Sequence, residues 1–136
     1  MHAYPMEVIN RLLKAGNEHD LSSFVACMSE DYKSEQPVHP DRAFQGRDQV
    51  RKNWSAIFEQ IPDLRMELLN AAVQGNEVWT EWQWSGTRRD DSLFDLRGVT
   101  IFTVEGDEIK AGRLYMEAVQ GDGAGIDATV KQMTST

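Results

Sequence analysis

Two dipeptides, Gly75-Asn76 and Gly106-Asp107, restrict this chain more than any other feature in it. Each separates two strand-like runs: Leu64–Gln74 from Glu77–Trp84, and Leu93–Glu105 from Glu108–Val119. Glycine reaches positive φ without steric cost, and a two-residue turn needs that conformation, so each dipeptide reads as a tight β-hairpin. Between the hairpins, Ser85–Ser92 is polar and carries Gly86, which reads as a longer loop. Short connections force antiparallel neighbours. Asp63–Val119 is therefore expected to form a four-stranded antiparallel meander.

Successive strand side chains point to opposite faces, so alternation assigns the two sides of that sheet. One face carries Val78, Thr80, Trp82 and Trp84, then Leu96, Gly98, Thr100 and Phe102, then Gly112, Leu114 and Met116. The other is mixed but keeps Trp79, Val99, Ile101 and Tyr115 among charged neighbours. A face wetted by water does not need those large groups, so they point to a covered outer face and a homodimer formed through it.

The apolar face needs a cover, and the preceding sequence supplies helices. Pro5 sits in the first turn of a helix whose apolar stripe is Met6, Ile9, Leu12, Leu13 and Gly16. Asp20 is an N-cap type residue before Leu21, Phe24, Val25 and Met28, spaced as one helical face. Asp31–Gln36 alternates and reads as a short strand, and Pro37–Gly46 as a loop. Asp48 is expected to cap a third helix with the face Val50, Trp54, Ile57, Phe58 and Ile61, which Pro62 stops. Helices followed by a run of strands give an α+β domain. A long curved sheet wrapped over three helices would enclose a cone open at one end.

Charge and composition exclude some partners. The net charge of −8 disfavours nucleic acid and anionic membrane, which need a basic surface. No apolar run approaches the ~20 residues of a membrane span, and Met1–Asn10 lacks the pattern of a signal peptide. The one cysteine, Cys27, falls in a helical apolar pattern and reads as a buried thiol. A cytoplasmic location fits these features. His2, His19 and His39 are scattered, with no cysteine or second histidine at ligand spacing, so no metal site is expected. No phosphate loop, dinucleotide fingerprint or nucleophile elbow is present, and no cofactor is expected.

The chain resembles the NTF2-like (cystatin-like) superfamily, and its SnoaL-like polyketide cyclases and ketosteroid isomerase-like members most. The likeness rests on Gly16-Asn17-Glu18-His19-Asp20-Leu21, Asp31-Tyr32, Phe44–Val50, Val78–Thr87, Gly98–Phe102 and Gly112–Glu117. It implies a cone-shaped pocket between a curved antiparallel sheet and three N-terminal helices, and a homodimer through the outer sheet face. Residues 1–120 would form this domain, with 121–136 as a flexible C-terminal tail.

The same resemblance locates the positions where relatives keep their catalytic groups. Ketosteroid isomerase uses a carboxylate base with a tyrosine and a protonated aspartate as oxyanion hole. Those positions here are Gln36, Leu12 and Thr100, and a slip of one residue would bring Glu35 to the base position. The Asp-Arg-Asp triad of limonene epoxide hydrolase falls on Trp84, Trp82 and Leu114. SnoaL-type cyclases use a histidine and an aspartate on the last strand, where this chain offers only Glu117. Gln36, Thr100, Glu35 and Glu117 are thus the candidate proton-handling groups.

What remains is an apolar pocket: Leu12, Trp54, Phe58, Trp82, Trp84, Phe102, Leu114 and Met116, with Thr80, Thr100 and Gln36 as polar points. Aromatic walls with few polar groups are how small-molecule sites are built. The same side chains would also serve as plain core. Arg113, Tyr115 and Glu117 belong either to the pocket or to the dimer interface. The expected ligand is a small hydrophobic or polycyclic molecule. Cofactor-independent isomerisation, cyclisation or hydration stands beside non-catalytic binding or protein interaction as the use of the site.

Overall fold

A computed structural model describes residues 4–135, so His2 lies outside the described residues. The chain runs α1 (Pro5–Glu18), α2 (Leu21–Ala26), β1 (Met28–Glu35), a short 3-10 turn (Pro40–Arg42), β2 (Phe44–Gln45) and α3 (Arg47–Gln60). It continues through β3 (Arg65–Gln74), β4 (Glu77–Thr87), β5 (Leu93–Glu105) and β6 (Glu108–Ala118) to α4 (Ile126–Thr134).

The meander forms as its turns dictate. Gln74 pairs with Glu77 and Glu105 with Glu108, so both loops have two residues. Gly75 and Gly106 carry the positive φ, at 60° and 62°. The loop between β4 and β5 is shorter than Ser85–Ser92, because Ser85, Gly86 and Thr87 pair with Asp95, Phe94 and Leu93. Gly86 marks a close approach there: a Cβ would lie 2.6 Å from Ile61 Cγ2.

The expected curved antiparallel cone on three N-terminal helices is not what forms. All six strands lie in one open mixed sheet of order β2-β1-β6-β5-β4-β3, with β2 and β3 as free edges. β1 joins the far side of the meander by pairing in parallel with β6, through Lys33 with Ala111 and Ser34 with Gly112. Only α1 and α2 precede the sheet; α3 follows β1 and β2, and α4 closes the chain. The physical reason is the long-range pairing of a polar strand. β1 buries Tyr32 and Ser34 on one face and leaves Lys33 and Glu35 exposed on the other, and no local turn announces its partner. Past the irregularity between Leu68 and Asn70, the end of β3 is exposed, so the helices do not cover that corner.

Helix ends follow local chemistry with one exception. Pro5 opens α1, and His19 closes it in the left-handed region at φ 55°. Asp20 caps α2 by accepting from the Ser23 amide at 3.2 Å. Asp48 does not cap α3: Gly46 holds that position, with no side-chain bond, and Asp48 sits in the first turn, where its charge suits the helix dipole. Met28, read as the last member of the α2 face, starts β1 instead.

The core lies between the inner sheet face and the helices, and includes Val8, Ile9, Leu12, Phe24, Val25, Val78, Trp82, Phe102 and Ile109. Cys27 is buried, and burial pushes its thiol upward. α4 buries no residue. No helix of the described residues is long and apolar enough to cross a membrane.

Candidate functional site

A cleft of about 390 Å³ opens between α3 and the β1, β6, β5, β4 part of the sheet. The period of α3 puts Val50, Asn53, Trp54 and Ile57 on the face that borders it. β1 contributes Tyr32 and Ser34, and Gln36 follows with the same parity. Trp84 comes from β4, Leu96 from β5, and Leu114, Met116 and Glu117 from β6. Arg42 and Phe44 complete the wall near the rim. Trp54 meets Trp84 edge-on, with ring centroids 5.5 Å apart, an arrangement aromatic quadrupoles favour.

Of the residues singled out from sequence, Gln36, Trp54, Trp84, Leu114, Met116 and Glu117 come together around this cleft. Leu12, Thr80, Trp82, Thr100 and Phe102 lie in the closed interior. There Trp82 Nε1 donates to Thr80 Oγ1 at 2.7 Å, and Thr80 Oγ1 donates to the Thr100 carbonyl at 2.7 Å. Phe58 stacks on His19 at 4.7 Å instead of bordering the cleft. His19 Nε2 lies 2.9 Å from the Leu64 carbonyl, so that imidazole ties the end of α1 to the chain before β3. Glu35 is exposed on the opposite face of β1 from Tyr32 and Ser34.

Three residues of the last strand separate. Arg113 faces outward, 3.8 Å from Glu77. Tyr115 is exposed on the same outer face. Glu117 stands at the end of β6, where the cleft opens, and its Oε1 lies 2.6 Å from His39 Nε2. A carboxylate oxygen accepts, so in this contact the His39 Nε2–H would be the donor. His39 and Arg42 were not found from sequence, because they sit in a loop whose prolines reveal only that it is a loop. Arg42 Nη1 donates to Gln36 Oε1 at 3.0 Å. Asn53 could have been found, since it lies three residues after Val50 on α3.

Three buried polar side chains are unusual. Trp84 Nε1 and Thr100 Oγ1 are buried with no hydrogen-bond partner. Native structures leave few such atoms orphaned, and one beside a cleft is open to a ligand acceptor. Tyr32 is the third: burial holds its phenol up at about 12. A group with a raised folded pKa contributes stability that is complete below its unfolded value near 10 and lost as pH rises through the folded value. Stability is therefore expected to fall by on the order of 2 kcal/mol between about pH 10 and 12. Denaturant melts of the wild type and Tyr32→Phe across that range would show it; equal slopes for the two would remove Tyr32 as the cause.

A depression of about 310 Å³ between α1 and α2 is lined by Arg11, Lys14, Glu18, Asp20 and Ser23 among others, and is a solvated charged hollow. Among the described residues, no group of three or more His, Cys, Asp or Glu is placed to hold a metal ion.

A model of the SnoaL-like domain matches residues 9–112. Solved structures agree with it in fold. A protein from Jannaschia sp. CCS1 assigned as a SnoaL-like polyketide cyclase is 20% identical, with TM-score 0.71 over 83% of this chain and 85% of that one. A Bacillus subtilis protein assigned as an isomerase is 16% identical, with TM-score 0.73 over 83% and 86%. A protein of ketosteroid isomerase-like fold from Catenulispora acidiphila DSM 44928, in complex with trimethylamine, is 16% identical, with TM-score 0.68 over 79% and 82%. No curated protein sequence matches the chain.

Proposed function

The chain belongs to the SnoaL-like domain family, and from that premise we propose that the cleft beside α3 binds a small, largely apolar organic molecule and that Glu117 with His39 moves a proton on it. The observation that carries this reading is the pairing of an aromatic cleft with one carboxylate–imidazole contact at its rim. Trp54, Trp84, Leu96, Leu114 and Met116 supply area for a ring system, and the rim holds the titratable groups. Relatives in fold are assigned as a polyketide cyclase and as an isomerase. Cofactor-independent isomerisation or cyclisation is the matching class, because a positioned acid–base pair is what it requires.

Binding is tested with polycyclic ketones by intrinsic tryptophan fluorescence. Saturable quenching is expected for the wild type and its loss for Leu114→Trp, which places an indole in the cleft. The variant's circular dichroism spectrum serves as a check on folding. A folded Leu114→Trp that binds as well as the wild type would move the site elsewhere.

A second reading, binding without chemistry, has its own support. Glu117 is the one carboxylate bordering the cleft, and it stands at the rim, while Tyr32 is held neutral to about pH 12. Deuterium exchange on a bound ketone separates the two.

We also propose that two copies associate through the outer sheet face. Trp79 and Tyr115 are 44% and 40% exposed there, on either side of Val99 and Ile101 in the register. Exposed aromatics grouped on one sheet face are the usual mark of an interface. Trp79→Lys is expected to shift the protein from dimer to monomer by sedimentation velocity at micromolar concentration. A wild type that sediments as a monomer would end this proposal.

A further inference from the structure

We propose that the natural ligand is an apolar carboxylate, its anionic head held by Arg42 at the rim and its rings or chain in the aromatic cleft. This rests on the reading of that cleft as the binding site, and adds the chemical class of what enters.

Arg42 borders the cleft, and its one side-chain hydrogen bond among the described residues goes to the neutral amide of Gln36, at 3.0 Å. Among the described residues no carboxylate lies within ion-pair distance of it, although the chain has 22 acidic against 14 basic residues. The one acid bordering the cleft, Glu117, is engaged with His39 at 2.6 Å. Asn53 Oδ1 already accepts from Gln49 Nε2 at 2.7 Å, so the rest of that amide is a donor. Trp84 Nε1 is a buried donor with no partner.

The Tyr32 and Ser34 hydroxyls and the second oxygen of Glu117 can also accept, but the one cation bordering the cleft, Arg42, has no carboxylate partner among the described residues. Guanidinium offers a planar fork that matches a carboxylate, and such charge-assisted pairs are about twice as strong as neutral ones. A neutral hydrocarbon would leave Arg42 and Trp84 Nε1 as they are. About 390 Å³ accommodates two fused rings with a short substituent.

The experiment compares 2-naphthoate with its neutral isostere, 2-naphthalenemethanol, by isothermal titration calorimetry on the full chain. The acid is expected to bind at least about tenfold more tightly, as one charge-assisted bond allows. Arg42→Gln is expected to bring the acid down to the alcohol's affinity, and Arg42→Lys to restore most of the difference. Rising salt should weaken the acid and spare the alcohol. Equal binding of the two probes, or a preference for the acid that survives Arg42→Gln, overturns the assignment of Arg42 while leaving the cleft as the site. Failure of both probes to bind overturns the reading of the cleft together with it.

Discussion

Glu117→Gln is expected to slow proton exchange on a bound ketone by about 10²–10⁴-fold, the range that a positioned acid–base group supplies. Gln keeps the shape and a hydrogen bond to His39 but cannot stabilise an imidazolium or fix the tautomer as a carboxylate does. In the wild type, Oε1 lies 2.6 Å from His39 Nε2, which sets the carboxylate directly beside the imidazole. His39→Gln should cost a similar factor, and the double variant little more, because two members of one relay act as a unit. Deuterium uptake at the carbon next to the carbonyl, followed by proton NMR in heavy water, measures this directly. Ligand binding with exchange no faster than the solvent background would favour the non-catalytic reading. Full exchange in Glu117→Gln would locate the base elsewhere.

Gly98→Ala is expected to destabilise the fold by at least about 3 kcal/mol, through a strained backbone conformation that tolerates no side chain. Gly98 sits in the middle of β5 at φ 153°, where side chains are rarely accommodated. A Cβ there would lie 1.9 Å from the Tyr115 carbonyl oxygen and 2.9 Å from Met116 Cα. Both are backbone atoms of β6, so relief requires the strand to move. Gly98 is also the cross-strand partner of Trp82, and the buried indole stands where a neighbouring side chain would otherwise compete. Movement of β6 would carry Met116 and Glu117 away from the cleft, so ligand binding should weaken along with stability. Urea titration of both proteins measures the change. A loss under about 1 kcal/mol would show that the strand relaxes freely, against the close approach seen here.

The sheet was legible wherever pairing was local. Gly75-Asn76 and Gly106-Asp107 gave two registers, and alternation along β4 placed Val78, Thr80, Trp82 and Trp84 on the buried face. The β1–β6 pairing was not legible, because parallel strands need no turn between them and Met28–Glu35 has too few apolar residues to announce its place. That omission is why a purely antiparallel cone was expected in place of an open mixed sheet. For the site, the wall was easier than the rim. Trp54, Trp84, Leu114 and Met116 follow from helical and strand periods. Glu117 has the parity of the outer face, and only its position at the strand end returns it to the cleft mouth. Ile101 shows a related limit: it points outward, on the face expected to be covered by a second copy, yet is already only 4% exposed within one chain. Its paired neighbours Trp79 and Arg113 account for that.

The parallel union of β1 with β6 also fixes when the site comes into being. His39 and Glu117 are 78 residues apart in sequence, and nothing local holds them near each other. Closing so long a loop must be offset by pairing that exists only once β6 is present. During synthesis, the helices and the β3–β4 hairpin can form as they leave the ribosome, but β1 waits for its partner. Nascent chains that stop short of β6 would hold much of the apolar wall without a rim, and so present Trp54 and Trp84 to chaperones instead of to a ligand. The rim that brings His39 beside Glu117 is thus among the last parts of the molecule to assemble, and ligand binding by a nascent chain would serve as a report that translation has passed β6.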